Sequence, residues 1–113
     1  MNNERGPIVF IPNKGAHDFS DAERYGELVF LTHGTVKRYS TGTLYRSLID
    51  GLKDAKISDY LLISSLAILN AIASAILARK FGRVNYLLFC DGRYLKRVVD
   101  IDSLLNDGGQ DAT

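Results

Sequence analysis

The sequence predicts an α/β fold: a single compact, Rossmann-like domain with a mixed, mostly parallel sheet, two main helices and an antiparallel hairpin at its carboxyl end. Three observations carry that expectation. Short apolar runs alternate with a segment of helical period, the pattern of β-α-β units. The stretch Tyr60 to Ala78, YLLISSLAILNAIASAILA, runs nineteen residues without a charged side chain, room for a buried strand followed by a buried helix. Asp91-Gly92 separates two strand-like runs and is the strongest short hairpin signal a sequence offers.

Each element follows from local chemistry. Residues 1 to 6 read as frayed. Pro7 to Ile11 is a short apolar run ended by Pro12, and a proline that cannot donate to a ladder marks an edge strand. Pro12 to Gly26 is loop-like, except that Ser20-Asp21-Ala22-Glu23 has capping-box spacing and predicts one helical turn. Glu27 to Thr32 reads as a buried strand broken by His33-Gly34. Between Thr43 and Ala55, Leu44, Leu48, Ile49 and Leu52 share one face, an amphipathic helix period with Thr41 or Thr43 as its cap and Gly51 as a weak point worth about 1 kcal/mol.

The charge-free run divides at Ser64-Ser65, a natural N-cap site: Tyr60 to Ser64 is expected to be a strand and Leu66 to Ala78 a helix. Gly82 stands where a helix stops, after the bases Arg79 and Lys80. Val84 to Cys90 is a strand, and Arg93 to Ile101 returns antiparallel. A two-residue turn then sets the register, with Cys90 opposite Arg93, Phe89 opposite Tyr94, Leu88 opposite Leu95, Tyr86 opposite Arg97 and Val84 opposite Val99. Lysine on the returning strand suits an edge. Residues 1–101 are therefore expected to form the domain, and 102–113 a flexible acidic tail too poor in apolar residues to order itself.

The same nineteen residues, as one helix, would span about 28 Å, close to the roughly 30 Å core of a bilayer. The core reading is stronger. The flanks carry strand and helix signals that need a core partner, and three serines with Asn70 make insertion costly. No membrane association is expected. A helix apolar on nearly every side needs cover on nearly every side. The Thr43 helix, an ordered part of the tail at Leu104 and Leu105, or a second copy of the chain could supply it, and pairing of the Leu66–Ala78 helix with a copy is the expectation.

Composition narrows function further. With 113 residues, 46% apolar and 24% charged, the chain has the make-up of one soluble globular domain. One cysteine, Cys90, excludes an internal disulfide framework and suits a reducing compartment, where a buried structural thiol is the expected state. No signal peptide is read at the amino terminus. The net charge is +1. Arg79, Lys80, Arg83, Arg93, Lys96 and Arg97 fall in one nineteen-residue stretch with a single acid, Asp91. That cluster suggests a nucleic-acid-facing stripe, with Tyr86 and Tyr94 as stacking surfaces. The simpler reading is that helix ends and edge strands favour bases.

Candidate sites follow from fold logic. Ligands of α/β sheets lie beyond the carboxyl ends of parallel strands. That position would gather Thr32, His33, Gly34 and Thr35 from one loop and Ser64 and Ser65 from another, with Lys37 nearby, as a nucleotide- or phosphate-like anion site. Neither standard nucleotide loop is present, and helix capping by Ser64 and Ser65 is the blander explanation. His17, Asp18, Asp21 and Glu23 collect possible hard-metal ligands, but Asp21 and Glu23 are two apart and share no helix face, and both are explained by capping. No cofactor, metal or catalytic residue is predicted.

The phrases HDFSDAERYGELVFLT and DYLLISSLAILNAIASAILARKFGRVNYLLF resemble small uncharacterised proteins encoded by bacteriophages, over most of the ordered length. That resemblance implies a cytoplasmic protein of an infected bacterium. It implies no activity and no site residues. The expected function is a soluble, non-enzymatic accessory or interaction protein, homodimeric; the alternatives are the anion-binding module, nucleic-acid binding by the hairpin, and a single membrane span.

Overall fold

The computed structural model describes residues 5–64 and 66–106. Strands β1 (Ile8–Ile11), β2 (Glu27–Phe30), β3 (Tyr60–Leu62), β4 (Arg83–Cys90) and β5 (Arg93–Asp100) form one mixed sheet in the order β2-β1-β3-β4-β5. The helices are α1 (Thr41–Gly51), α2 (Ala67–Phe81) and the short α3 (Ile101–Asn106), with a 3₁₀ helix at Ser20–Arg24. β1 runs parallel to β2 and β3, β3 parallel to β4, and β5 antiparallel to β4.

Period-2 alternation divides the sheet into two apolar faces. Phe10, Leu61 and Val84 point to the face covered by α1 and α2, where they meet Leu52, Ala73 and Leu77. Val9, Ile11, Leu62 and Leu87 point the other way, onto Phe19 and Ala22 of the 3₁₀ segment and Tyr94 of β5. The reason lies in handedness. The chain steps from β1 to β2 in one direction and from β2 through β3 to β4 in the other, and right-handed crossovers put those connections on opposite faces.

β1 is therefore an interior strand and not the edge that Pro12 suggested. Pro12 stands one residue beyond β1, so its missing N–H removes no bond from the strand, and its carbonyl accepts from Thr32 N at 3.0 Å. β2 ends at Phe30, two residues short of expectation. Parallel bonding nonetheless continues through Leu31 N to Ile11 O at 2.8 Å and Lys14 N to Thr32 O at 2.8 Å.

The hairpin follows the expected register at every named pair. Asp91 at φ 51° and Gly92 at φ 81° supply the two left-handed residues that a type I′ turn needs. Gly82 ends α2 at φ 71° and donates to Ala78 O. Its carbonyl accepts from Ile101 N and Asp102 N, which turns Ile101 out of β5 and into α3. Residues 107–113, the remainder of the expected tail, lie outside the described residues.

None of the three expected caps is observed among the described residues. α1 begins after Ser40 and α2 after Leu66, neither with a side-chain cap among the described residues, and the 3₁₀ helix has none either. The loop before α2 is held by Asn70 instead, whose amide accepts from Ser64 N and donates to Ser64 O and Leu66 O. One turn inside the helix, Asn70 reaches back to the entering chain as a cap would reach forward. Cys90 is exposed, not buried, because β4 runs past the layers that cover its middle.

Candidate functional site

Strands β1 to β4 all end on one side of the sheet, and the loops leaving them make the polar rim of the molecule. The connections after β1 and β3 depart on opposite faces, so these adjacent strands form the switch point where α/β sheets open a crevice. A pocket of about 290 Å³ lies there. Phe19, Leu62 and Tyr94 make its floor, each less than 7% exposed. His17 and Phe89 form its lip, and Ser64 stands on its wall.

Ser64 Oγ is buried and has no hydrogen-bond partner among the described residues. Burial, with the carboxylates of Asp21 and Asp18 nearby, pushes the Tyr94 phenol above its ordinary pKa. The Asp18 carboxyl is itself held low by its bond from Ser20 N.

Thr32, Thr35 and Lys37 occupy a different depression, of about 360 Å³, beside the start of α1. The hydroxyls of Ser40, Thr43 and Ser47 join them there. β1 lies between β2 and β3, so the expected anion-site residues are divided: Thr32, Thr35 and Lys37 together, Ser64 across the intervening strand. His33 bridges Lys14 and approaches the Phe30 ring at 6.3 Å, and Gly34 N donates to Lys14 O. Ser65 lies outside the described residues.

A further depression, about 590 Å³, is a groove between α1 and α2. Tyr45 and Ile49 from α1 face Ile72, Ala75 and Ile76 from α2, and bases stand only at one end. Tyr45 is 49% exposed and Ile49 40%.

The six bases of the candidate nucleic-acid stripe are placed apart. Arg79 stands at the groove. Lys80 Nζ donates at 3.0 Å to both Leu52 O and Lys53 O, closing the carboxyl end of α1. Arg83 bonds Asn85 Oδ1 at 3.2 Å at the far end of β4 from the turn that carries Arg93. Lys96 lies 5.7 Å from the centre of the Tyr60 ring, and Arg97, one residue on, projects to the opposite face. Tyr86 donates to Ser74 Oγ, and Tyr94 is buried, so neither ring is laid open for stacking beside those bases.

Asp59 and Asn85, the buried polar side chains that composition did not single out, serve the fold. Asn85 Nδ2 donates to Ile57 O and Asp59 O. Among the described residues no cluster of metal-ligating side chains occurs, and no helix is long and apolar enough to cross a membrane.

Fold and surface together define a compact α/β protein with an apolar helix face and two small depressions at the carboxyl edge of its sheet. The chain belongs to the Phage Pam3 gp32-like protein family, whose model matches residues 7–101. It is thus a small phage-encoded protein, as the two resembling phrases implied. No curated protein and no solved structure matches the sequence.

Proposed function

We propose that this chain is a non-enzymatic interaction protein of the infected cell's cytoplasm, and that it pairs with a second copy of itself through the outer face of α1 and α2. The observation that carries the reading is the groove, where Tyr45 and Ile49 remain exposed against an α2 with no charge before Arg79. The two polar residues within α2 before that point do not serve the outer face: Asn70 holds the preceding loop and Ser74 accepts from Tyr86. The exposed positions Ala67, Ala71 and Ala75 are small, so a second helix can approach closely.

An apolar face with its bases gathered at one end suits a copy of itself. In an antiparallel two-fold arrangement Arg79 lies against the partner's Ala67 end, roughly 18 Å along the helix from the partner's own Arg79, so like charges stay apart. The other open surface, the edge of β5, carries Arg93, Lys96 and Arg97 and would bring bases together. The strand order and the crossovers on both faces support a doubly wound, Rossmann-like ancestry for the scaffold.

Sedimentation velocity over a wide concentration range tests the pairing. A monomer–dimer equilibrium is expected, with Ala75→Glu weakening it at least ~100-fold, about 2.8 kcal/mol, through a desolvated like-charge pair. A strict monomer at every concentration would overturn the reading.

A second reading has its own support. The hydroxyl-lined depression at the start of α1 holds Lys37 and no carboxylate among the described residues, which suits a phosphate-like anion. Thermal unfolding in increasing phosphate and nucleotide should show a rise in Tm that Lys37→Ala with Thr43→Ala abolishes. A flat response removes this reading.

A further inference from the structure

The switch-point pocket is independent of both surfaces just described: it opens on the sheet face away from α1 and α2, and Thr32, Thr35 and Lys37 do not line it. Its volume of about 290 Å³ lies at the bottom of the roughly 300–1,000 Å³ range of ligand sites, room for one small ring system and little more. Its chemistry is aromatic. Phe19 and Tyr94 are buried in the floor, while Phe89, edge-on to Tyr94 at 5.2 Å between ring centres, is 56% exposed at the lip. The His17 ring meets Phe19 edge-on at 4.6 Å on the other side.

An apolar core gains nothing from leaving such a ring in water, whereas a stacking site requires an open ring face. No lysine, arginine or carboxylate is among the lining residues, so a charged ligand would find no counter-charge. The Asp18 and Asp21 carboxylates, close enough to act on the Tyr94 hydroxyl, disfavour an anion. Beside the His17 ring and the Tyr94 phenol, the lining offers Ser64 Oγ, buried and without a partner among the described residues. A hydroxyl both donates and accepts, so it can read the polar edge of a ring whose face is stacked.

We infer that this pocket binds a small, planar, uncharged heterocycle of nucleobase size, stacked on Phe89 with its polar edge hydrogen-bonded to Ser64 Oγ. Phosphate is not part of what is recognised, so a free base or nucleoside is bound at least as well as its nucleotide. The β1 exit supplies one wall and the end of β3 the other, so both crossovers of the sheet converge on the ligand.

The test is a titration of the full-length chain, labelled with ¹⁵N, with adenine, uracil and nicotinamide in turn, followed by amide chemical shifts. At least one should give saturable shifts confined to Phe19, Ile63, Ser64, Phe89 and Tyr94, half-complete at or below roughly 1 mM, the affinity open to about ten ligand atoms. Phe89→Leu keeps apolar bulk at an exposed position and should weaken binding about 10-fold by removing the stack. Ser64→Ala should weaken it roughly 3- to 10-fold. No saturable shift with any of the three probes overturns the inference, as does unchanged affinity in Phe89→Leu. Tighter binding of AMP than of adenosine, or displacement of the base by inorganic phosphate, overturns it equally by making the site an anion site.

Discussion

Asp59 lies at the foot of β3 with its side chain only 1% exposed, and four hydrogen bonds converge on its carboxylate. Arg5 binds both oxygens at 2.8 Å, Ile8 N donates at 2.9 Å and Lys56 N at 2.8 Å. Burial raises the pKa of such a group, but the Arg5 fork and the two backbone donors outweigh it and hold Asp59 below its usual 3.8. A depressed carboxylate stabilises the fold above its unfolded pKa, and that contribution is lost as pH falls through the lower, folded value. Asp59→Asn sets an amide donor against donors and leaves the guanidinium unpaired, at a cost of about 2–4 kcal/mol. Urea unfolding should show the full difference between native protein and Asp59→Asn at neutral pH, shrinking below pH ~4. A difference independent of pH would mean that the carboxylate's charge plays no part. Asp59 was not legible as a keystone, because two of its partners, Arg5 and Ile8, are more than fifty residues away in sequence and only the assembled sheet brings them to it.

At the scale of elements, legibility follows the range of the interactions. The hairpin register was readable pair by pair, since Asp91-Gly92 admits one turn geometry and the turn dictates everything beyond it. Gly82 and the bases before it likewise mark the end of α2. The start of α2 was not readable as observed: Ser64-Ser65 has the composition of a cap, yet Asn70, a poor helix residue in an apolar run, holds the entry from inside. Asn70→Ala improves local helix propensity by several tenths of a kcal/mol, but it strips partners from both the N–H and C=O of Ser64. The loss should prevail, with net destabilisation of about 1–2 kcal/mol and faster hydrogen exchange at residues 63–67 than elsewhere in α2. Unchanged exchange there would show that the loop is held by its packing alone. The switch-point pocket escaped notice for the same reason as Asp59: Ser64 was foreseeable at a loop and Phe89 opposite Tyr94 in the hairpin, but only the assembled sheet brings that pair against Phe19 and Ser64.

The whole molecule is governed by how its open surfaces are managed. Strand order is a non-local property, and Pro12 misdirected it; the true edges are β2, four residues long, and β5, eight residues long. A long edge strand invites pairing with another chain unless something prevents it. β5 has the apolar surface for such pairing, with Val98 42% and Val99 37% exposed, and no strand beyond it among the described residues. What opposes pairing is charge: Arg93, Lys96 and Arg97 on one strand, so that two antiparallel copies of β5 would set base against base over most registers. On the α1–α2 face the bases Lys53, Arg79 and Lys80 stand only at one end, and the pairing proposed above through the helices rests on this asymmetry. Lys96→Thr with Arg97→Val should therefore open a second mode of association without unfolding the monomer, since neither base makes a buried ion pair. Light scattering in that variant should rise with concentration above that of the native protein. The new species should persist when Ala75→Glu is added, because it uses the other side of the molecule. If the double variant scatters like the native chain, the twist of β5 rather than its charge protects the edge.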